Sequence, residues 1–498
     1  MHGPVTVALG FLAFLSNVVL AAPIPQTTPA AGVILNGTSV TIGPANTTSS
    51  AVNSTATAVN STATSMDIPS SSGSKVVVAH FMVGNAYSHT VDTWKTDISM
   101  AQSAHIDGFA LNVGSDSWQP ARVADAYTAA KQLGNFKLFM SFDMTVLPGS
   151  GAGDADLLRT YISQYYDHPN QMKVDGKSLV STFSGENSFF GQGSVQSGWA
   201  YVFSAVGAVE FLPSFFLPPA TIAGLDVTNG GLAWNSAWNT GTTTAAYGSQ
   251  PAEAAVLAIT DSFSGDLDFI NEFDKAGKSY MAAVSPSFFT HYGADTYNKN
   301  WLYNEDYSGY SHRWDAIISN RDKTNFVEII TWNDYGESSY VGPIGADQPN
   351  SQAWVDGFDH TSVLPLTAYY VQAFKNGAYP DVAKDQVFLA ARPHTHDANA
   401  SSDGVGKPTN WETVADNLFV DVLCTAPSTV VLATSDGNSK TFQVQAGASQ
   451  LSMPLTVGGY IEATIQRNGA TVVTCKPDGY TFTDSPKTYN YNFFMASC

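Results

Sequence analysis

The stretch TWNDYGES, residues 331–338, sets Asp334 and Glu337 three residues apart across Gly336. Two carboxyl groups that can reach one cavity suit glycoside hydrolysis, in which one gives a proton to the leaving oxygen and the other activates water or attacks the sugar. Mutual repulsion and unequal burial then push the two pKa values apart, so that one group is protonated while the other is charged. The same five residues NDYGE also fit a plain loop, with Asp334 capping the next segment and Glu337 solvated. The motif alone does not choose between these readings.

The elements that must position the pair are legible as short apolar runs at 75–83, 107–114, 136–144, 178–186, 209–217, 231–238, 279–289 and 326–335. Helix-period segments such as VDTWKTDISMAQSAHI and ARVADAYTAAKQLG separate many of them. This alternation predicts a (β/α)8 TIM-type barrel, with an open doubly wound sheet as the competitor. The barrel is preferred because no Gly-rich dinucleotide or phosphate loop follows the first run. Active sites of such barrels lie at the carboxyl ends of the strands. His80, Asn112, Asp143, Glu186 and Asn235 end or lie near the ends of their runs, and Asn85 and Tyr87 follow the first, so all seven are candidate substrate contacts.

Strand alternation puts Ile330, Trp332 and Asp334 on one face and Val327, Ile329 and Thr331 on the other. Glu328 shares the inward face but sits near the strand's start and is assigned to structure. Trp238, Trp332 and Tyr335 are the aromatic candidates for stacking on sugar rings, with Trp234 beside them. Each candidate has a structural alternative: a satisfied core histidine at 80, loop anchors at 143 and 186, core packing for the tryptophans.

A chain of 498 residues exceeds one compact core, and 44% hydrophobic with 13% charged residues describes packed globular material. A formal charge of −20 lacks the basic footprint that nucleic acid or an anionic membrane surface requires, whereas a neutral polysaccharide tolerates it. Residues 1–22 read as a signal peptide, too short in their apolar stretch to span a membrane, and no membrane anchor is expected. Residues 23–74 are rich in Ser, Thr, Ala and Asn and read as a disordered, glycosylated linker or pro-segment. Asn36, Asn46, Asn53 and Asn60 within it, and Asn399 further on, head glycosylation sequons, so a secreted, extracellular or wall-associated monomer is expected.

The barrel is assigned to 75–380, a connecting segment to 381–409 and an antiparallel β-sandwich to 410–498. Cys424, Cys475 and Cys498 permit one disulfide whose pairing stays open. No cofactor is expected, and no metal site, since HTH at 394–396 lacks further ligands at useful spacing.

The blocks HFMVGNAYSHTVDTWKTDI, DGFALNVG, FKLFMSFDM, LVSTFSGE, VSPSFFTHYGADTYNKNWLYNEDYSGYSHRW and EIITWNDYGESSYVGP, in this order, resemble the fungal α-1,3-glucanases, or mutanases, of glycoside hydrolase family 71. The resemblance spans about residues 75–380 and continues more loosely to the C-terminus. It implies an extracellular endo-hydrolase of α-1,3-glucan with a barrel, an accessory β domain and an inverting mechanism. The paired acid and base fall on Asp334 and Glu337, with Glu337 cast as acid and Asp334 as base. Family members commonly carry Trp at Ser287 and His at Ser339, which implies altered subsite contacts here. The alternatives are a hydrolase of another α-glucan and a non-catalytic wall-binding glycoprotein.

Overall fold

The computed structural model describes residues 67–68 and 73–498. The expected signal peptide and the sequons at Asn36, Asn46, Asn53 and Asn60 lie outside the described residues. One part of the Ser/Thr-rich tract is ordered, contrary to expectation. Asp67–Ile68 pairs in parallel with Lys173–Val174, and Asp67 Oδ1 accepts the Gly176 N–H at 2.9 Å. Ile68 packs on the barrel's inner cluster, supplying the apolar burial that Ser and Thr cannot.

Eight parallel strands form the barrel: β1 (Val76–Met82), β2 (Gly108–Val113), β3 (Lys137–Asp143), β4 (Lys177–Phe183), β5 (Val209–Phe211), β6 (Gly230–Leu232), β7 (Ser279–Val284) and β8 (Phe326–Ile329). Phe326 of β8 lies opposite both Met281 of β7 and Val76 of β1, so first and last strands are neighbours. At the β5–β6 seam the Asn229 N–H donates to Phe211 O at 2.9 Å and the Leu232 N–H to Pro213 O at 3.0 Å. The sheet therefore closes on itself, which decides for the barrel over the open sheet.

Alternation sorts the strand side chains into two layers. Val76, Val78, Ala110, Phe139 and Leu179 fill the interior. Val77, Ala79, Phe109, Leu111 and Leu138 face the helices. Helix α1 (Val91–Ser103) shows why such segments are helical: Thr90 Oγ1 accepts the Thr93 N–H, and Trp94, Ile98 and Ala101 recur on the buried face. Helices α2 (Gln119–Leu133), α3 (Ala155–Tyr165), α4 (Val195–Phe203), α5 (Pro219–Ala223), α6 (Ser264–Ala276), α7 (Gly309–Ser319) and α8 (Leu364–Asn376) complete the outer ring. Among the described residues no helix is long and apolar enough to cross a membrane.

Several runs end earlier than expected. The seventh stops at Val284, and Phe289–His291 instead pairs antiparallel with Asn300–Leu302 in a hairpin above the barrel. The eighth stops at Ile329.

The C-terminal module stacks two four-stranded antiparallel sheets. One runs β13 (Gly447–Pro454), β10 (Asn417–Cys424), β9 (Gln386–Ala391), β16 (Phe494–Ser497); the other runs β12 (Asn438–Val444), β11 (Ser428–Ser435), β14 (Glu462–Arg467), β15 (Ala470–Cys475). Strand β9 lies inside the expected connecting segment 381–409, which is thereby corrected. Val387, Leu389 and Ala391 point into the sandwich core while Phe388 turns to the barrel, so the sandwich begins there. Cys475 and Cys498 form the disulfide, and Cys424 is a buried free thiol.

Candidate active site

After Ile329 the regular register ends: the Ile330 N–H still donates to Val284 O at 2.8 Å and the Trp332 N–H to His80 O at 2.7 Å, while the chain folds back on itself. The Thr331 N–H donates to Ser339 O at 2.7 Å, and the Val341 N–H returns to Thr331 O at 3.0 Å. Ile330 still faces the interior, but Trp332 turns to the helix layer, where its Nε1–H donates to Asp97 Oδ1 at 3.2 Å and its ring packs on Phe109. Trp332 is thus core and not a sugar platform, because alternation holds only while the ladder does. Asp334 reaches the barrel mouth through this turn. Its N–H donates to Thr331 Oγ1 at 2.7 Å, and its Oδ1 accepts the Glu337 N–H at 3.3 Å. The capping role open to Asp334 in the sequence is thus filled. A Cβ on Gly336 would lie 2.6 Å from Tyr292 Oη, so only glycine lets the turn pass under that phenol.

The charges around the pair come from two further elements. Lys299, on the hairpin after β7, sets Nζ 3.2 Å from Glu337 Oε1. Asp143, at the end of β3, accepts the N–H and O–H of Thr145 at 3.0 and 2.5 Å. Burial and then the charge of Glu337 push the Asp334 carboxyl up to about 7, against the opposing pull of Lys299. Burial also raises Asp143, which the Thr145 hydrogen bonds, and more weakly nearby His80 and Lys299, partly offset. Glu337, followed by Asp334 and Asp143, raises the Lys299 ammonium despite its burial. Lys299 thus lies in the field of three carboxyl groups and is ion-paired to one of them, Glu337.

A family model for glycosyl hydrolase family 71 matches residues 73–498. The chain belongs to glycosyl hydrolase family 71. It is 36% identical over 434 residues to a glucan endo-1,3-alpha-glucosidase of Schizosaccharomyces pombe, covering 86% of this chain and 95% of that one. A mutanase of Penicillium rubens is 32% identical over 436 residues, covering 86% and 90%. An ascus wall endo-1,3-alpha-glucanase of S. pombe is 31% identical over 445 residues, covering 84% and 96%.

In this family 71 chain the remaining candidates divide by what their side chains touch. His80 points inward as expected, with Nδ1 2.6 Å from Glu328 Oε1 and its ring edge-on to Trp234 at 4.8 Å. His80 Nε2 and Glu328 Oε2 are buried without a protein partner, so this pair is a polar floor inside the barrel. Asn112 also faces inward at the end of β2, opposite Met82 and Ser141. Asn85 serves as a brace: it donates to Asn333 O at 3.0 Å, while the Asn333 amide exchanges two hydrogen bonds with the Met82 backbone. Tyr87 stands 62% exposed on the rim, edge-on to Trp118. Glu186 accepts from Ser184 Oγ at 3.2 Å and from the Phe216 N–H at 3.4 Å, tying together the loops after β4 and β5.

Asn235 is exposed on a cleft of about 730 Å³ beside β5 and β6, whose wall also carries Trp234, Trp238 and Phe216. Asp334 and Glu337 are not on that wall. Trp238 is covered by Phe288 and Tyr303 and donates to Ser287 O at 3.0 Å, so it is a buried prop and not a stacking platform. Tyr335 is likewise buried, its hydroxyl donating to Pro343 O and accepting the Gly345 N–H, which corrects its assignment to the substrate. Ser287 and Ser339 are buried in the backbone that braces the loop: Ser287 Oγ donates to Ser338 O, and Ser339 Oγ meets Thr331 Oγ1 at 3.4 Å. Sequence reasoning missed Lys299 and Asn333. Lys299 sits among YNKNW with no strand pattern to aim it, and Asn333 adjoins Asp334 without an acid–base function of its own.

Proposed function

We propose that this chain hydrolyses internal α-1,3-glucosidic linkages of α-1,3-glucan, as its family 71 membership and relatives named for that activity support. The observation that carries the mechanism is the unequal setting of two adjacent, half-buried carboxyl groups at the barrel mouth: Asp334 with its pKa raised to about 7 by desolvation and by Glu337, Glu337 ion-paired to Lys299. Asp334 then gives its proton to the glycosidic oxygen as the C1–O bond breaks. Glu337 takes a proton from the water whose oxygen bonds to C1 on the opposite face. The anomeric centre inverts, and each carboxyl ends in the other's starting state. These electrostatics favour the opposite of the sequence-level casting, in which Glu337 was the acid.

His80, Asn112 and Asp143 are proposed to meet sugar hydroxyls from the floor and wall, and Tyr87 and Asn235 from the rim. A monomer is part of this proposal. Action outside the cell accords with the N-terminal leader pattern and with the exposed sequon at Asn399. The test is incubation of the purified protein with insoluble α-1,3-glucan, α-1,4-glucan and β-1,3-glucan. Soluble product from α-1,3-glucan alone, first released as the β-anomer by NMR, is expected. Retained α-configuration would overturn the inverting roles, and binding without product would overturn the activity.

A further inference from the structure

The hairpin that delivers Lys299 is held from outside the barrel. On one side, Phe289–His291 pairs with Asn300–Leu302, and the Phe289 N–H donates to Glu337 O at 2.9 Å. On the other, the segment after β9 runs along the hairpin's free edge: the Thr409 N–H donates to Asn300 O at 3.0 Å and the Leu302 N–H to Thr409 O at 3.2 Å. The Asn410 amide adds a bond to Leu302 O at 3.1 Å. Thr409 thus makes a single parallel bridge to a hairpin whose own two strands are only three residues each, too short to hold their register in water unaided.

Asp403 is the knot of this arrangement. Its side chain is 3% exposed, and its two oxygens accept four hydrogen bonds. Oδ1 takes the N–H groups of Val405 and Gly406 at 2.8 and 3.0 Å. Oδ2 takes the N–H of Tyr489, from the C-terminal tail, at 2.8 Å and faces His291 Nε2 at 2.9 Å. The His291 ring continues the chain of contacts, with Nδ1 2.9 Å from Asn300 Oδ1, while the Asn300 amide donates to Gly406 O and Lys407 O. Asn300 follows Lys299 directly. We infer that Asp403 and His291 are positioning residues for the reaction, holding Lys299 against Glu337 by locking the hairpin to residues 403–410 and to the C-terminal tail. The segment beyond the barrel is then a working part of the active site.

This inference rests on the acid–base reading of Asp334 and Glu337. It is tested in the full chain by Asp403→Asn and His291→Gln, each made also in a Lys299→Met background, with kcat, KM and melting temperature measured on soluble α-1,3-gluco-oligosaccharides. Each variant is expected to lower kcat about tenfold with KM within about twofold, because displacement of a charged group by a fraction of an ångström is felt mainly in the transition state. In the Lys299→Met background either change is expected to add less than about twofold, since the group being positioned is already gone. A folded Asp403→Asn and His291→Gln pair with wild-type kcat, or losses that multiply fully in the Lys299→Met background, would overturn the inference. Two variants guard against one that fails to fold. Glu337→Gln run alongside separates the failures: wild-type rate there condemns the acid–base reading, whereas its inactivity beside active Asp403 and His291 variants condemns only this inference.

Discussion

Lys299 Nζ stands 3.2 Å from Glu337 Oε1, although one residue lies on an excursion after β7 and the other in the turn after β8. The ammonium gives the site its asymmetry. It pairs with one carboxylate of a closely spaced pair while burial drives the other toward its neutral form.

Removing either carboxyl should abolish turnover without unfolding the protein. Asp334→Asn and Glu337→Gln are each expected to lower kcat by about 10²–10⁴-fold, the usual worth of a positioned acid or base. Reducing-end release from α-1,3-glucan checks this. Wild-type turnover by both variants would remove the pair from the chemistry.

The pH profile follows from the acid role of Asp334. Its carboxyl must be protonated to donate, so kcat should fall as pH rises through about 7. Lys299 opposes the upward shift, so Lys299→Met should raise the Asp334 pKa further and move the alkaline limb to higher pH. A limb that moves downward in this variant would contradict the assignment.

The same shift has a stability consequence. A carboxyl whose folded pKa exceeds its unfolded value of 3.8 favours the fold fully below that value, and the favour is lost as pH rises through about 7. Asp334→Asn, which cannot ionise, should therefore melt higher than wild type at pH 8. The gap should narrow as pH falls from about 7 towards about 4. Melting curves across that window provide the check.

Gly336 is required by contact with Tyr292. Gly336→Ala would push a methyl to 2.6 Å from Tyr292 Oη, displacing the turn that carries Glu337, and should cost about tenfold or more in kcat. Tyr292→Phe removes the offending oxygen, so the double variant should recover part of the loss. No recovery would place the strain elsewhere.

Trp332 should matter to stability and not to substrate. Trp332→Phe loses the hydrogen bond to Asp97 and some packing on Phe109, and about 1–3 kcal/mol of destabilisation is expected with KM unchanged. Denaturant unfolding and a KM measurement together decide this.

The amino-acid order by itself determined the eight apolar runs, the helical spacing between most of them, and the pairing of Asp334 with Glu337 across a glycine. Those are local properties: side-chain period, turn chemistry and residue type are written within a few positions of one another. His80 was also correctly aimed, because β1 stays in its ladder through Met82. Trp332 was not, because the regular β8 register ends at Ile329, and beyond it the chain, while still donating to His80 O, is also bonded to residues 339–342, a partner no alternation rule anticipates.

Tertiary structure alone decided the electrostatics of the pair. Lys299 arrives on a hairpin registered by Thr409 and by the contact of His291 with Asp403, two residues 112 positions apart in the chain. Charge acts through space and not along sequence, so which carboxyl keeps the proton depends on contacts that exist only after the barrel has closed and the C-terminal tail has packed beside it.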